Sequence, residues 1–376
     1  MISNARWVLA LAMISSAWCG MVVTSRAAAD DDESAMVTQV DEKVAAAARA
    51  KDPAWKPACT EAGLIQIGDK QHQGSLRNFC LNAKGNILAC YAPTNISKSV
   101  RDADQSGIRV YSPAGKLLQS FPLDIKPTAI SVAEDGSIFV GGDGRLLKLN
   151  AEGKVLASIE SPVAHEPVVI TKEVQDMIKE TRRPFQDEMA RMKTSLELRR
   201  GNVTGLAVTD RDVFMAVPSP GDFTYRVYRF DQALANPKLV VEKLRGCCGQ
   251  MDLQAHDGKL WIPHNARHAV ESHDRDGKEL SKFGKAGRIK APDFGGCCEP
   301  KNLRVLANGD ILAAESGPPT CIKQFSSTGK FKGVVAAIPN ATGDCVRVTV
   351  EVSPDGSRYY LLDTTTDAIR IFKRKA

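Results

Sequence analysis

Ile130-Ser131-Val132-Ala133-Glu134-Asp135-Gly136-Ser137-Ile138-Phe139-Val140 holds an apolar alternation, a tight turn and a second apolar alternation. Alternation with period two marks a strand with one buried face. Asp-Gly between two such runs marks a hairpin, because the type I′ turn needs positive φ at both central residues. The same pattern returns around Lys84-Gly85, Asp210-Arg211, Asp257-Gly258, Asn308-Gly309 and Asp355-Gly356. Successive turns lie 51, 75, 47, 51 and 47 residues apart. A second turn follows within most units, at Gly115-Lys116, Gly153-Lys154, Gly277-Lys278 and Gly329-Lys330. Four strands in about 40–50 residues make a β-propeller blade, and the one long spacing marks an insertion.

The end of the chain argues for a closed ring. The last unit runs through Val348–Val352, Tyr359–Leu362 and Ile369–Phe372, then stops after three strands. Leu64-Ile65-Gln66-Ile67 precedes the first unit without a partner and would complete the last blade, leaving no open ring edge. The expected fold is all-β, a six-bladed β-propeller of four-stranded blades over residues 58–376, closed by an N-terminal strand and carrying a helical insertion at 162–200. In the insertion, one helix is expected from about Thr171 to Glu180. A second should start with Pro184 in its first turn and include Met189, Met192 and Leu196.

Ile369-Arg370-Ile371-Phe372 and Lys282-Phe283-Gly284-Lys285-Ala286-Gly287-Arg288 resemble NHL-type propeller repeats. The resemblance covers about residues 60–376 apart from the insertion. It implies the propeller and leaves function open, since such rings serve as enzymes, scaffolds and binding modules. Gly295-Gly296-Cys297-Cys298-Glu299-Pro300-Lys301-Asn302 resembles a motif of a cysteine-rich, exported bacterial subgroup, which would imply iron–sulfur binding.

The first 29 residues read as a Sec-type signal peptide. Arg6 leads into an apolar run to about Val23, followed by Ala27-Ala28-Ala29 before Asp30. Trp18 ahead of Cys19 argues against a lipoprotein acceptor, and no later stretch is long and apolar enough to span a bilayer. The mature chain is expected to be secreted or periplasmic. Its acidic, alanine-rich residues 30–57 read as a mobile arm with room for one helix around Val44–Arg49. Loss of Arg6 and Arg26 takes the basic residues from 50 to 48 against 44 acids, so the net charge falls from +6 to +4. The charges are interspersed, with no basic stripe, which excludes nucleic acid as an expected partner.

Ten cysteines less Cys19 leave nine, an odd number for an exported chain that simply pairs its thiols. Cys247, Cys298 and Cys345 each lie ten residues before the first residue of their unit's turn. That position is the start of a blade's inner strand, beside the mouth of the central channel. With their neighbours Cys248 and Cys297, five sulfurs are expected along one arc of that mouth, on blades four to six. His264, His268, Cys321, Cys90 and Glu315 belong to the same face as groups around them. The insertion also joins there and could cover the site.

Three readings compete. Vicinal disulfides would make the cysteines a staple, although adjacent cysteines form a strained, easily reduced ring. A sulfur-rich metal site suits soft metals: zinc, copper(I) or iron–sulfur. One zinc needs its sulfurs about 2.3 Å from a single point. A cubane takes cysteines at several corners and suits an arc. Functional disulfides are the third reading. The leading expectation is therefore an exported redox or electron-transfer protein, a carrier rather than a catalyst. It would hold a [4Fe–4S] cluster on Cys247, Cys248, Cys297, Cys298 and Cys345 and meet an unidentified redox partner. The alternative is a disulfide-stabilised module that binds a ligand or protein partner. A metal-dependent lactonase built on Asp252, Asn302 and Glu315 is the third. Cys80 and Cys90 read as a disulfide or as buried thiols, Cys59 as remote, and His256 and His273 as solvent residues. His264 is the best histidine ligand candidate, against a structural role that the sequence favours two to one.

Overall fold

A computed structural model describes residues 40–67, 76–92, 106–181, 183–246, 249–296, 298–338 and 346–375. The expected signal peptide, and residues 30–39 of the arm, lie outside the described residues. The strands form six four-stranded antiparallel sheets, the six-bladed propeller anticipated from the turn spacing. Blade one holds β2 (Leu76–Leu81), β3 (Ile87–Tyr91), β4 (Gly107–Tyr111) and β5 (Leu117–Pro122), from the channel outward. Blade two holds β6 (Ala129–Val132), β7 (Ile138–Gly142), β8 (Arg145–Leu149) and β9 (Val155–Glu160). Blade three holds β10 (Gly205–Val208), β11 (Asp212–Pro218), β12 (Thr224–Asp231) and β13 (Lys238–Arg245). Blade four holds β14 (Gln254–His256), β15 (Lys259–His264), β16 (Ala269–His273) and β17 (Glu279–Phe283). Blade five holds β18 (Asn302–Val305), β19 (Ile311–Glu315), β20 (Thr320–Phe325) and β21 (Phe331–Ile338). Blade six holds β22 (Val350–Val352), β23 (Arg358–Asp363), β24 (Ala368–Arg374) and, outermost, β1 (Cys59–Gln66), paired antiparallel from Cys59↔Arg374 to Gln66↔Ala368.

Burial follows position within the blade. Second strands are covered on both faces by neighbouring blades, so β3, β7, β11 and β19 are buried at every residue and read as continuous apolar runs. Outer strands meet solvent, and β5 buries only Phe121. The core lies between blades. Leu88, Cys90 and Ile108 of blade one, for example, pack with Ile130, Val140 and Leu147 of blade two.

The turns differ from expectation in one respect. Only Asp257-Gly258 has positive φ at both positions, 49° and 68°. At Gly85, Gly136, Gly309 and Gly356 the glycine alone is left-handed, and its N–H bonds the carbonyl three residues back, as from Gly136 to Ala133 at 3.0 Å. That is a three-residue loop with a glycine bulge, which also matches the strand twist.

The insertion forms α2 (Lys172–Lys179) and α3 (Phe185–Arg199), flanked by Thr171 and Pro184 as expected. Val174, Ile178, Met192 and Leu196 form their own small core with Phe223 at its edge. Docking is onto blade three: the Thr171 N–H bonds the Gly221 carbonyl at 3.0 Å, and Arg199 lies over Phe223 and Tyr225. The contacts therefore place the insertion on blade three.

The rest of the expected arm is folded. Asp41 caps α1 (Glu42–Arg49), and a 3-10 turn spans Pro53–Trp55. Arg49 donates to the Arg288 carbonyl at 2.8 Å, and the Trp55 indole to the Ile289 carbonyl at 2.7 Å. Residues 41–57 thus lie against blade five. Among the described residues no helix is long and apolar enough to cross a membrane.

Candidate functional site

A closed circuit of hydrogen bonds stitches the inner strands together where they begin. Thr349 (blade six) donates to Asn78 Oδ1 (blade one) at 2.8 Å, Asn78 Nδ2 to the Thr128 carbonyl (two) at 3.2 Å, and Thr128 Oγ1 to the Val203 carbonyl before blade three at 2.6 Å. Thr204 Oγ1 donates to the Met251 carbonyl (four) at 3.3 Å, and Asn302 Nδ2 (five) to Asp252 (four). The Val350 N–H (six) closes the circuit on Asn302 Oδ1 at 2.7 Å. Asn78, Thr204, Asn302 and Thr349 each stand six residues before the first residue of their unit's turn. This repeated polar position was a signal that the search for cysteines and histidines passed over.

The chain segments next to this circuit flank the expected cysteine positions. Cys298 is fully buried just ahead of β18. Cys247, Cys248, Cys297 and Cys345 lie outside the described residues, but the residues that flank them do not. Gln250 donates from Nε2 to the Val348 carbonyl at 2.7 Å, and its Oε1 accepts the Val348 N–H at 3.2 Å. Arg347 donates to the carbonyls of Gly249 at 3.1 Å and Thr128 at 3.2 Å. The chain leaving Cys247-Cys248 and the chain leaving Cys345 are thereby bonded to each other. Gly246 has the ring of Tyr225 and Oδ1 of Asn265 so close that a Cβ would stand 2.6 Å and 3.1 Å from them. Asn265 also donates to the Gln250 carbonyl at 2.6 Å, so it packs against one flank of Cys247-Cys248 and bonds the other. Among the described residues, no three His, Cys, Asp or Glu side chains gather as a ligand set.

Of the five groups expected around the cysteines, Cys90, Cys321, Glu315 and His264 are committed elsewhere. Cys90 is a free thiol in the core between blades one and two, beside Cys80, and burial pushes both thiols well above the usual range. Cys59 is a free thiol at the start of β1, away from the mouth. Cys321 is buried 3.9 Å from Glu315, and burial with that carboxylate drives its thiol up as well. A thiol held protonated in this way is a poor metal ligand. Glu315 pairs with the fully buried Lys323 and accepts the Gly295 N–H at 2.6 Å. Lys323 in turn lies over Trp55 at 4.7 Å.

His264 is structural. Its Nε2 accepts the Arg245 N–H at 2.8 Å, so its proton is on Nδ1 and is donated to Glu271 at 2.8 Å. His273 corrects the expectation of a solvent residue. It is 4% exposed, with Nε2 3.3 Å from the other Glu271 oxygen and Nδ1 3.1 Å from the Gly277 carbonyl. Both of its nitrogens face acceptors, because β16 is covered by the neighbouring blades. His256 is half-buried and lines a groove of about 450 Å³ on the turn face.

Glu299, next to Cys298, accepts three hydrogen bonds on Oε1, from Ser316 N–H at 2.9 Å, Ser316 Oγ at 2.6 Å and Gly317 N–H at 3.1 Å. Burial pushes its carboxyl up to about 8, against the pull of Lys301 and with the help of Glu315. Its Oε2, Asn265 Oδ1 and His268 Nδ1 are buried without partners. Orphaned buried polar atoms are rare in native proteins and each needs a reason.

The channel itself is a cavity of about 100 Å³ lined by Asn78, Asp252, Gln254, Asn302, Arg304 and Thr349, among others. Arg304 fills it, bonded to Gln254 and Glu351. Burial lifts the Asp252 carboxyl to about 6, against the attraction of Arg304. Asn302 spends Oδ1 on Val350 and Nδ2 on Asp252, and Glu315 lies with Lys323 outside the channel lining. The three residues expected to hold a calcium-like ion therefore do not converge.

Neither a family model nor a curated protein matches the chain. Solved structures do. A protein of unknown function from Bacteroides thetaiotaomicron VPI-5482 superposes with a TM-score of 0.52 at 12% identity, over 84% of this chain and 73% of that one. The gluconolactonase XC5397 of Xanthomonas campestris superposes at 0.51 and 10% identity, over 86% and 99%. A chain of the mitotic checkpoint complex gives 0.50 at 10% identity, over 94% and 100%. Likeness at such identities carries the fold and leaves the site to its own residues: this chain is a six-bladed β-propeller.

Proposed function

We propose that this is an exported redox or electron-transfer protein. Its metal cluster, of the [4Fe–4S] type, would be held at one mouth of the propeller by Cys247, Cys248, Cys297, Cys298 and Cys345. The observation that carries the reading is the two-way bond between Gln250 and Val348, which ties the flank of one cysteine pair to the flank of Cys345. The buried Cys298 on the intervening blade and the unpartnered Oε2 of the adjacent Glu299 are what a missing occupant would leave. When bound, such a cluster supplies one-electron transfer. The chain's own part is rigidity and exclusion of water: the hydrogen-bonded circuit fixes the strand starts, and Glu299 anchors the turn that carries Cys298.

The test is iron and acid-labile sulfide, with a visible spectrum, on protein purified without oxygen. Iron with matching sulfide and a broad brown absorbance is expected. Colourless, metal-free protein with almost no free thiols beyond Cys59, Cys80, Cys90 and Cys321 would replace the cluster with the disulfide-built binding module. Calcium-dependent turnover of a lactone that survives loss of the cysteines would favour the hydrolase instead, with Asp252 as its channel carboxylate. Export is checked by the N-terminus of the mature protein, expected at Asp30.

A further inference from the structure

The outermost strand of each blade lies on the rim of the propeller and has one neighbour in its sheet, so its other edge is open to pairing with another chain. Four of these edges are guarded. β13 carries Glu242 and Lys243 in mid-strand, β17 carries Glu279 and Lys282, and β1 carries Glu61. β21 is covered by the docked arm, where the Ala58 N–H bonds the Val334 carbonyl at 2.9 Å. Charges within an edge strand and segments laid over it are devices that prevent pairing.

The edges of blades one and two are different. β5 has no charged residue from Leu117 to Pro122, and β9 has none from Val155 to Ile159. The two strands share one stretch of rim. Gly153, just ahead of β9, lies on Phe121 near the end of β5, so close that a Cβ would stand 2.2 Å from the ring. Arg145 ties the same strands together, donating to Asp124 beyond β5 at 2.6 Å and to Ser158 of β9 at 3.0 Å. Leu117, Leu118, Val155 and Leu156 along this stretch are 52%, 50%, 45% and 54% exposed. Large apolar side chains grouped on a surface in this way mark an interaction site.

The order of charges selects the partner. Each edge has a lysine at its head and an acid at its tail: Lys116 before and Asp124 after β5, Lys154 before β9 and Glu160 at its end. Asp124 and Glu160 pair with Arg145 and His165 of the same chain, yet their side chains stay 69% and 65% exposed. A two-fold axis across these strands reverses chain direction, so a second copy brings each head to a tail. Lysine then meets acid, with uncharged residues between. Parallel contact would set lysine on lysine. The surface is therefore self-complementary, as a symmetric interface requires.

We propose that this stretch of rim is the contact of a symmetric dimer, in which β5 and β9 of one copy meet those of a second copy antiparallel. The proposal goes beyond the metal site and is independent of it.

Sedimentation equilibrium of the purified protein over a range of concentrations tests it, and a monomer–dimer equilibrium is expected. Leu118→Glu combined with Leu156→Glu puts acids into the uncharged stretch on both copies and should raise the dissociation constant about tenfold or more. Leu280→Glu on β17, where the leucine is 47% exposed, should leave it unchanged. Lys154→Glu should weaken the dimer, and adding Glu160→Lys should restore it, because the swap again sets opposite charges head to tail. All five positions are exposed, so the fold should survive, with circular dichroism as the check. If the double leucine variant does not fold, the charge swap decides. Native protein that stays monomeric, whether alone or bound to a different protein, overturns the proposal. So does a dimer that persists in the double leucine variant, one lost in Leu280→Glu, or a charge swap that fails to restore it.

Discussion

Gly246 has no room for a side chain, although nothing in the repeat marks it. A Cβ would meet the Tyr225 ring at 2.6 Å and both Asn265 Oδ1 and the Met251 methyl at 3.1 Å. Gly246→Ala must move an aromatic ring in a buried site, so a loss of about 1–3 kcal/mol in denaturant midpoint is expected. Asn265 also bonds the Gln250 carbonyl beyond Cys247-Cys248, so metal content should fall with stability. A variant as stable and as metal-rich as the native protein would show that neither depends on this contact. The histidines teach the same lesson. His264 leads the histidines by sequence position. Its partners show both nitrogens already used, one by the Arg245 N–H and one by Glu271.

Blade four carries a buried relay in which β15, β16 and β17 supply His264, Glu271, His273 and the 3.6 Å neighbour Lys282. Burial works to raise the Glu271 carboxyl, but the hydrogen bonds from His264 and His273 overcome it and hold it well below its usual range. Burial works to lower His273, and its bonds to Glu271 and the Gly277 carbonyl overcome that and raise it. The signs set a window. The contribution of His273 is complete below its ordinary value of 6.5 and is lost as pH rises through the folded value. That of Glu271 is present above 4.5 and is lost as pH falls toward its depressed value. Urea midpoints of the native protein against Glu271→Gln should differ most between about pH 4.5 and 6.5, converge as pH falls below 4.5, and narrow only in part above 6.5 as His273 loses its proton. A difference independent of pH would refute the relay. The docked arm makes a second element-level case. Trp55→Ala removes the ring over Lys323 and the bond to Ile289. It should cost about 1–3 kcal/mol and speed maleimide labelling of Cys321, which is 1% exposed in the native fold. Unchanged labelling would mean that the arm does not shield blade five.

The ring as a whole is held at two places, the β1–β24 pairing at the rim and the polar circuit at the mouth. Because the circuit is closed, its members should couple. Asn78→Ala and Thr349→Val are each expected to cost about 1–2 kcal/mol, and the double variant clearly less than their sum, since both remove the same 2.8 Å bond. Strict additivity would show two independent sites. Cys298→Ser and Cys345→Ser extend the test to function: on one shared centre their effects on iron content should be non-additive, and independent partial losses would separate blades five and six.

Blade number, ring closure by Leu64-Ile65-Gln66-Ile67 and the two insertion helices were legible from periodicity, because the strand and helix periods are local properties of the backbone. The glycine-bulge turns were misassigned, since Asp-Gly and Asn-Gly suit both loop types and strand twist decides between them. Spacing also located the inner-strand starts, and Cys298 is buried just ahead of one of them. Whether a given side chain there is spent or available was beyond its reach. Gln250 meets Val348, Asn78 meets Thr349 and Trp55 meets Lys323 across large gaps in sequence. Such meetings depend on how neighbouring blades pack, and packing is settled only when the ring closes and each buried polar atom finds, or fails to find, its partner.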